Sequence, residues 1–358
     1  MIFQKLDKIM REAVHSKTFP GGVLLVSIGE HILFFNAYGY ANIFTKQPVN
    51  TDTLFDLASL TKPLATGLAV MKLVEQGRLD LDQPVGSILP LFKIFGKSRI
   101  TIRHLLNHTS GLPAYKPYYK HLRAVPEIYR KTMLKAFLVK EALINSTGKK
   151  CVYSDIGFMI LCWVVGHVSG MRLDRFVCKQ IYYPLNLDNL FFIDINANPR
   201  NAEFAATEYC PWRKMLLSGQ VHDDNAWVLG GIQGHAGLFG TARNIHSLLC
   251  SLLAAFHGNS TGSVFSGKLV QAFFKPQKGT DRSLGFDTPD VKGSSSGRYF
   301  SAKSVGHLGF TGTSFWMDTD NSAIVILLTN RVHPSRDNIS IRTFRPRIHD
   351  AVVECLYQ

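Results

Sequence analysis

Strand-forming sequence lies at the two ends of this chain and is sparse between them. Gly22 to Ile28 and His31 to Tyr38 are rich in aliphatic and aromatic residues and flank Gly29-Glu30, which predicts two strands and a tight turn. His307 to Phe310, Thr313 to Asp318 and Ala323 to Thr329 predict three more, the last almost continuously apolar. Helical patterning fills the interval. The expected fold is therefore α+β: one antiparallel sheet built from both termini and flanked by helices, with a mainly helical region inserted. The division expected places residues 1–60 and 260–358 in the sheet region and 61–259 in the helical region.

The helices follow from periodicity. In MIFQKLDKIMREAVHSK, residues Phe3, Leu6, Ile9, Met10, Ala13 and Val14 share one face, so the segment reads as an amphipathic helix and not as a signal peptide. Phe19-Pro20-Gly21-Gly22 ends it. Thr51 to Ala58 leads into a long helix expected from Ser59 to about Gln76 and stopped at Gly77. Pro63 is tolerable there only if that helix begins near Ser59. Further helices are expected over Ile102–Asn107, Val125–Ile144, Asp155–Ser169 and Asn244–Phe256, and a last one from about Pro346 to Leu356. Residues 276–300, rich in Gly, Ser, Asp and Pro, read as a long surface loop.

Composition narrows the function classes. The net charge of +14 favours acidic partners. The excess is densest from Lys116 to Lys150, where nine Lys and Arg stand against Glu127 and Glu141. No helix-turn-helix, zinc-finger or RNA-binding motif accompanies it, so nucleic acid is not an expected partner, and the stretch reads as a solvated basic face. No run approaches the roughly 18 apolar residues of a membrane span. The expected location is cytoplasmic, or periplasmic if a leader is trimmed. Six cysteines contain no C-x-x-C, and no cluster has metal-ligand spacing, so neither metal nor cofactor is expected. Cys162 and Cys250 sit in apolar stretches and read as core residues.

Three short motifs carry chemistry. In Ser59-Leu60-Thr61-Lys62, positions i and i+3 of a helix share a face. A serine hydroxyl is a weak nucleophile until a base takes its proton, and a lysine one turn away does so if burial lowers its pKa. The spacing alone is cheap, since Ser146-Thr147-Gly148-Lys149 repeats it in a polar turn. In Tyr153-Ser154-Asp155, Tyr153 can act as acid or base. Asp155 can bond Lys62 or orient a substrate amide, and Ser154 or Asp155 can cap the following helix. In His307-Leu308-Gly309-Phe310-Thr311-Gly312-Thr313, glycines allow close approach of a ligand to backbone N–H donors, beside the titratable His307. His108-Thr109-Ser110-Gly111 reads as a supporting turn. His235 either lines a cleft or caps a turn.

Taken in order, the three motifs resemble S-x-x-K, Y-x-N and K-T-G of the class C β-lactamase and penicillin-binding-protein superfamily. LASLTKPLATGLAVMKLVEQGRLDLDQPV, IRHLLNHTSGLPAY, VYSDIGFMIL, VHDDNAWVLGGIQGHAGLFGTA and GHLGFTGTSFW are similar to its β-lactamase-related serine hydrolase branch. The resemblance implies a β-lactamase/transpeptidase-like fold and a serine hydrolase working through an acyl-enzyme. It implies Ser59 as nucleophile, Lys62 as base or proton relay and Tyr153 as the base that activates the deacylating water. The N–H groups of Ser59 and Phe310, beside Gly309, would form the oxyanion hole. Asp155 stands where class C enzymes have Asn, and His307 where they have Lys, which weakens recognition of an anionic antibiotic. The expected substrate is a small ester, a D-amino-acid peptide or a β-lactam-like amide. The rivals are a true β-lactamase or D,D-carboxypeptidase, and a non-catalytic binding protein that keeps the fold.

Overall fold

In the computed structural model, residues 3–197, 200, 202–259, 263–277, 280, 282–290 and 293–357 are described. Both ends of the chain supply one six-stranded antiparallel sheet. Its spatial order is Gln47–Pro48, His31–Asn42, Gly21–Ile28, Ala323–Thr329, Ser314–Met317 and Val305–Leu308. The first strand from the N-terminus and the last from the C-terminus are central neighbours, in register from Gly22 opposite Thr329 to Ile28 opposite Ala323. Both are buried on two faces. Val23 and Leu25 point into the larger apolar cluster, while Leu24 and Val26 point into a second one, as the alternation of a strand requires. Helices Gln4–His15 and Ile341–Tyr357 cover the second cluster. The larger one runs from the sheet through Leu64 and Leu68 to Phe158 and Ile160 of the helix Asp155–Ser169.

Several boundaries differ from expectation for identifiable reasons. The second strand extends to Asn42, because it gains Gln47–Pro48 as a partner beyond Tyr38. The strand expected over 307–310 is Val305–Leu308; Gly309 leaves the ladder to bond Thr313 across a tight turn. The helix expected over 125–144 is Glu127–Lys140, since Pro126 is extended and Glu141 leaves the helix. The last helix begins at Ile341 and holds Pro346 inside it, where buried Ile341, Phe344 and Arg345 outweigh one lost backbone bond. Within the stretch 276–300, positions 278, 279, 281, 291 and 292 lie outside the described residues. The rest is no mere surface loop: Leu284 and Phe286 are buried, and Asp287 pairs with Gly306. Cys250 is buried and Cys162 lies at the core's edge.

The helix expected from Ser59 is a composite. A tight turn covers Ala58–Leu60, a widened turn covers Lys62–Gly67, and regular helix runs over Leu68–Glu75. Such widening inside a helix is often found at functional sites. Among the described residues no single helix is long and apolar enough to cross a membrane.

Candidate active site

Ser59 follows a residue in an unusual conformation. Ala58 has φ +47° without being glycine, a backbone state that persists only when its surroundings enforce it. Asp56 supplies that enforcement. Its Oδ1 accepts the Ala58 N–H at 2.8 Å and its Oδ2 accepts the His222 N–H at 2.6 Å. Burial pushes the Asp56 carboxyl up, against those two donors. Sequence reasoning passed over Asp56; the available signal was a lone carboxylate in the run Leu54-Phe55-Asp56-Leu57-Ala58.

Lys62 is completely buried one turn later. Its Nζ donates to Ser59 Oγ at 3.0 Å and to the His235 carbonyl at 3.2 Å. It lies 2.7 Å from Asp155 Oδ1 and 4.7 Å from the centre of the Tyr153 ring. Burial is the largest single influence and pushes the ammonium down, but Asp155 and Tyr153 outweigh it, and the net shift is upward. That direction favours the ammonium form, in which Lys62 donates to Ser59 Oγ.

Tyr153 and Asp155 are positioned by the start of one helix. Ser154 caps it, its Oγ accepting from Gly157 N–H at 3.2 Å and donating to the Pro113 carbonyl at 2.7 Å. His108, in the turn expected at 108–111, accepts the Ser154 N–H on Nδ1 at 2.9 Å, and its ring lies 4.7 Å from that of Tyr153. On the other side, Arg282 stands 5.3 Å from the Tyr153 ring centre.

The third motif closes over the nucleophile. Thr311 Oγ1 donates to the Asp56 carbonyl at 2.7 Å, and Thr313 Oγ1 donates to the Leu57 carbonyl at 3.1 Å. A Cβ at Gly309 would run into Thr313 Oγ1 and the Leu57 carbonyl, so only glycine permits this approach. Arg345 Nη2 donates to the carbonyls of Gly309 and Thr313, each at 2.8 Å. His307 is buried, and burial together with Lys62 and Arg282 pushes its imidazole well down. It is therefore neutral, with Nδ1 bonded to the Leu308 carbonyl at 2.9 Å and Nε2 without a hydrogen-bond partner among the described residues. Phe310 is exposed and stacks on His222.

Ser59, Tyr153 and Phe310 stand between two cavities of different character. One, of about 390 Å³, is lined by Asp155, Asp223, Asp224, His222, His235 and Tyr115, with Arg336 as its one arginine. His235, left open between two sequence readings, thus lines the cleft, with Nε2 at 2.9 Å from Asp223. The other, of about 300 Å³, carries Arg282, Arg331, Arg342 and Arg345 with Asp287 as its one carboxylate. Arg282 pairs with Asp287. Arg331 and Arg345 bond only backbone carbonyls, and burial pushes them down to about 10 and about 9. Their charge is thus not neutralised by a carboxylate among the described residues. Ser146 and Lys149, the second S-x-x-K match, are not among the lining residues of either cavity. Among the described residues, no group of three His, Cys, Asp or Glu is arranged to hold a metal.

A buried lysine bonded to a serine at a strained helix start, roofed by a glycine-bent turn, defines a serine hydrolase of the acyl-enzyme type. A model of the Beta-lactamase family matches residues 6–347, and the chain belongs to that family. A protein of Salmonella agona (strain SL483) named "Putative D-alanyl-D-alanine carboxypeptidase" is 33% identical over 349 residues, covering 88% of this chain and 79% of its own length. Similar folds are EstCE1, a hydrolase with promiscuous acyltransferase activity, and the octameric penicillin-binding protein homologue from Pyrococcus abyssi. The first has TM-score 0.77 at 21% identity, covering 98% of each chain. The second has TM-score 0.73 at 20% identity, covering 96% of this chain and 76% of its own.

Proposed function

We propose that Ser59 is acylated by small esters or peptides that end in a free carboxylate, with a C-terminal D-amino-acid peptide as the preferred class. Ser59 Oγ attacks the carbonyl carbon and its proton passes to Tyr153 in the phenolate form, steadied by the neighbouring Lys62 ammonium, which has no lone pair to accept it. Tyr153 then delivers the proton to the departing amine or alkoxide, and in the second half-reaction takes one from the attacking water and returns it to Ser59 Oγ as the acyl bond breaks. The N–H groups of Ser59 and Phe310 receive the developing oxyanion. Support for that pair is the threonine bonds that tie the 309–313 turn to the residues just before Ser59.

The observation that carries the substrate class is the arginine-rich cavity. A neutral His307 offers a carboxylate no charge, but uncompensated buried arginines in the same wall do. The name of the Salmonella relative points the same way. Intact-mass measurement and product analysis with p-nitrophenyl esters, an N-acyl-D-Ala-D-Ala peptide, its C-terminal amide and a chromogenic cephalosporin test this. An adduct on Ser59 is expected, lost in Ser59→Ala. The free-acid peptide should be cleaved at least about tenfold faster than its amide, as one well-placed charge contact provides. An adduct surviving Ser59→Ala overturns the nucleophile; equal cleavage of acid and amide overturns the substrate class.

A further inference from the structure

The helix Glu127–Lys140 is apolar on two sides. Leu134, Leu138 and Val139 are buried against the core, as expected of a surface helix. Its opposite side carries Ile128, Tyr129 and Met133, of which Ile128 is 80% and Tyr129 60% exposed. Thr132 and Ala136 lie on that side too, and Lys140 closes it one turn later as its one charge. A second exposed apolar turn adjoins the end of this helix: Leu91, Ile94 and Phe95 protrude from a segment tied to it by Lys97 Nζ donating to the Val139 carbonyl at 2.6 Å. Exposed apolar groups so grouped are unusual on a free surface.

The cations around them are unusual too. Lys120, Arg123, Lys131, Lys135 and Lys140 are exposed, and none makes an ion pair among the described residues. Lys131 and Lys135, one helical turn apart, edge the apolar side toward the helix Asp155–Ser169, where Lys135 Nζ stands 4.9 Å from the centre of the Trp163 ring. Of the two acids in the stretch, Glu141 is engaged by Lys116 and Tyr118, and Glu127 accepts from Asn196. The density of positive charge between Lys116 and Lys150 is therefore not a self-neutralised face, and the catalytic reading makes no use of it.

We propose that this face docks on an anionic lipid bilayer, with Ile128, Tyr129 and Met133 entering the headgroup region and the flanking lysines meeting lipid phosphates. Charge complementarity selects that occupant over a second copy of the chain, whose equally basic face would be repelled. Docking would bring a wall of the cleft toward the bilayer. Tyr115 lines the cleft, Asn225 holds the Tyr119 N–H and the Lys116 carbonyl, and Arg130 bonds the Val228 carbonyl. The surface and the active site are thus joined through the same segment, but the docking does not depend on the substrate proposed above.

Co-sedimentation of the full chain with phosphatidylcholine vesicles, with and without phosphatidylglycerol, tests it. Binding is expected only with the anionic lipid. Ile128→Ser with Met133→Ser, which changes no charge, should weaken it severalfold. Lys131→Gln with Lys135→Gln should weaken it on the order of tenfold. Lys268→Gln with Lys275→Gln removes the same charge from two other exposed positions and should leave binding nearly intact. All variants should keep wild-type p-nitrophenyl ester hydrolysis, which reports that they fold. Equal losses from the two lysine pairs would mean diffuse attraction and overturn the proposal. So would retention of binding by the serine pair, or a concentration-dependent dimer in ultracentrifugation that the serine pair dissolves.

Discussion

At the residue scale the site turns on one charge balance. Lys62 is buried and would by itself lose its proton readily, yet Asp155 and Tyr153 reverse that tendency. In the proposed mechanism Ser59 consequently faces an ammonium that steadies its oxygen and does not take its proton. Asp155→Asn keeps the shape and removes the carboxylate charge. With the largest upward influence gone, burial dominates and the Lys62 pKa falls. If catalysis requires the ammonium form, the alkaline limb of kcat/KM against pH for a p-nitrophenyl ester moves to lower pH by about one unit or more. A profile that keeps its alkaline limb in place would show that Lys62 protonation does not limit the reaction. Ser59, Lys62, Tyr153, His307 and Gly309 were all visible in the sequence, because short motifs fix local spacing. Asp56, Arg282, Arg331 and Arg345 were not, because their use depends on contacts across long separations, such as Arg345 with Gly309. The sequence reading leaves Lys62 as base or relay for the same reason: a carboxylate 93 positions further along the chain bears on its protonation.

At the scale of elements, three pieces hold the site: the composite helix from Ala58, the start of Asp155–Ser169, and the turn after Val305–Leu308. The helix Asp155–Ser169 was legible to the residue, since Ser154 supplies a cap and Gly170 a left-handed stop, φ +71°. The Ser59 helix was legible only in extent; its tight turn follows the Asp56 bond to Ala58 N–H and its widened turn holds Pro63 at its start, and periodicity encodes neither. The strand at 305–308 was displaced by two residues because a glycine read as strand interior proves to be its exit. Ser154→Ala tests how far one element serves another. It removes both the cap on Gly157 and the bond to Pro113. A loss of about 1–2 kcal/mol and a Tm lower by a few degrees are expected in thermal unfolding. Because Tyr153 and Asp155 flank the cap, kcat for ester hydrolysis should fall as well, with KM little changed. A normal kcat in the destabilised variant would separate the cap from catalysis.

At the scale of the whole molecule, burial has trapped many histidines as neutral rings. His108 and His307 are pushed well below their ordinary 6.5, and His349, held by the Ser295 carbonyl, is pushed down to about 4. His104, His246 and His333 move the same way. A group whose folded pKa is depressed binds protons more readily when the chain unfolds, so acid favours the unfolded chain. For His349 the loss begins as pH falls through 6.5 and is complete near 4, and amounts to about 3 kcal/mol. Carboxylates act elsewhere. Glu208, held down to about 2 by Arg336 and His222, gives up its contribution only below the ordinary carboxylate range. Asp56, raised by burial, opposes the loss as it protonates. The window from pH 6.5 to 4.5 therefore belongs to the histidines. Urea unfolding across it should show stability falling steadily, and His349→Gln, whose amide can still donate to Ser295, should flatten that fall by about 2–3 kcal/mol. An equally steep fall in the variant would mean that His349 is not buried neutral in the folded protein, and the acid sensitivity would then have to come from His108 and His307 beside the active site.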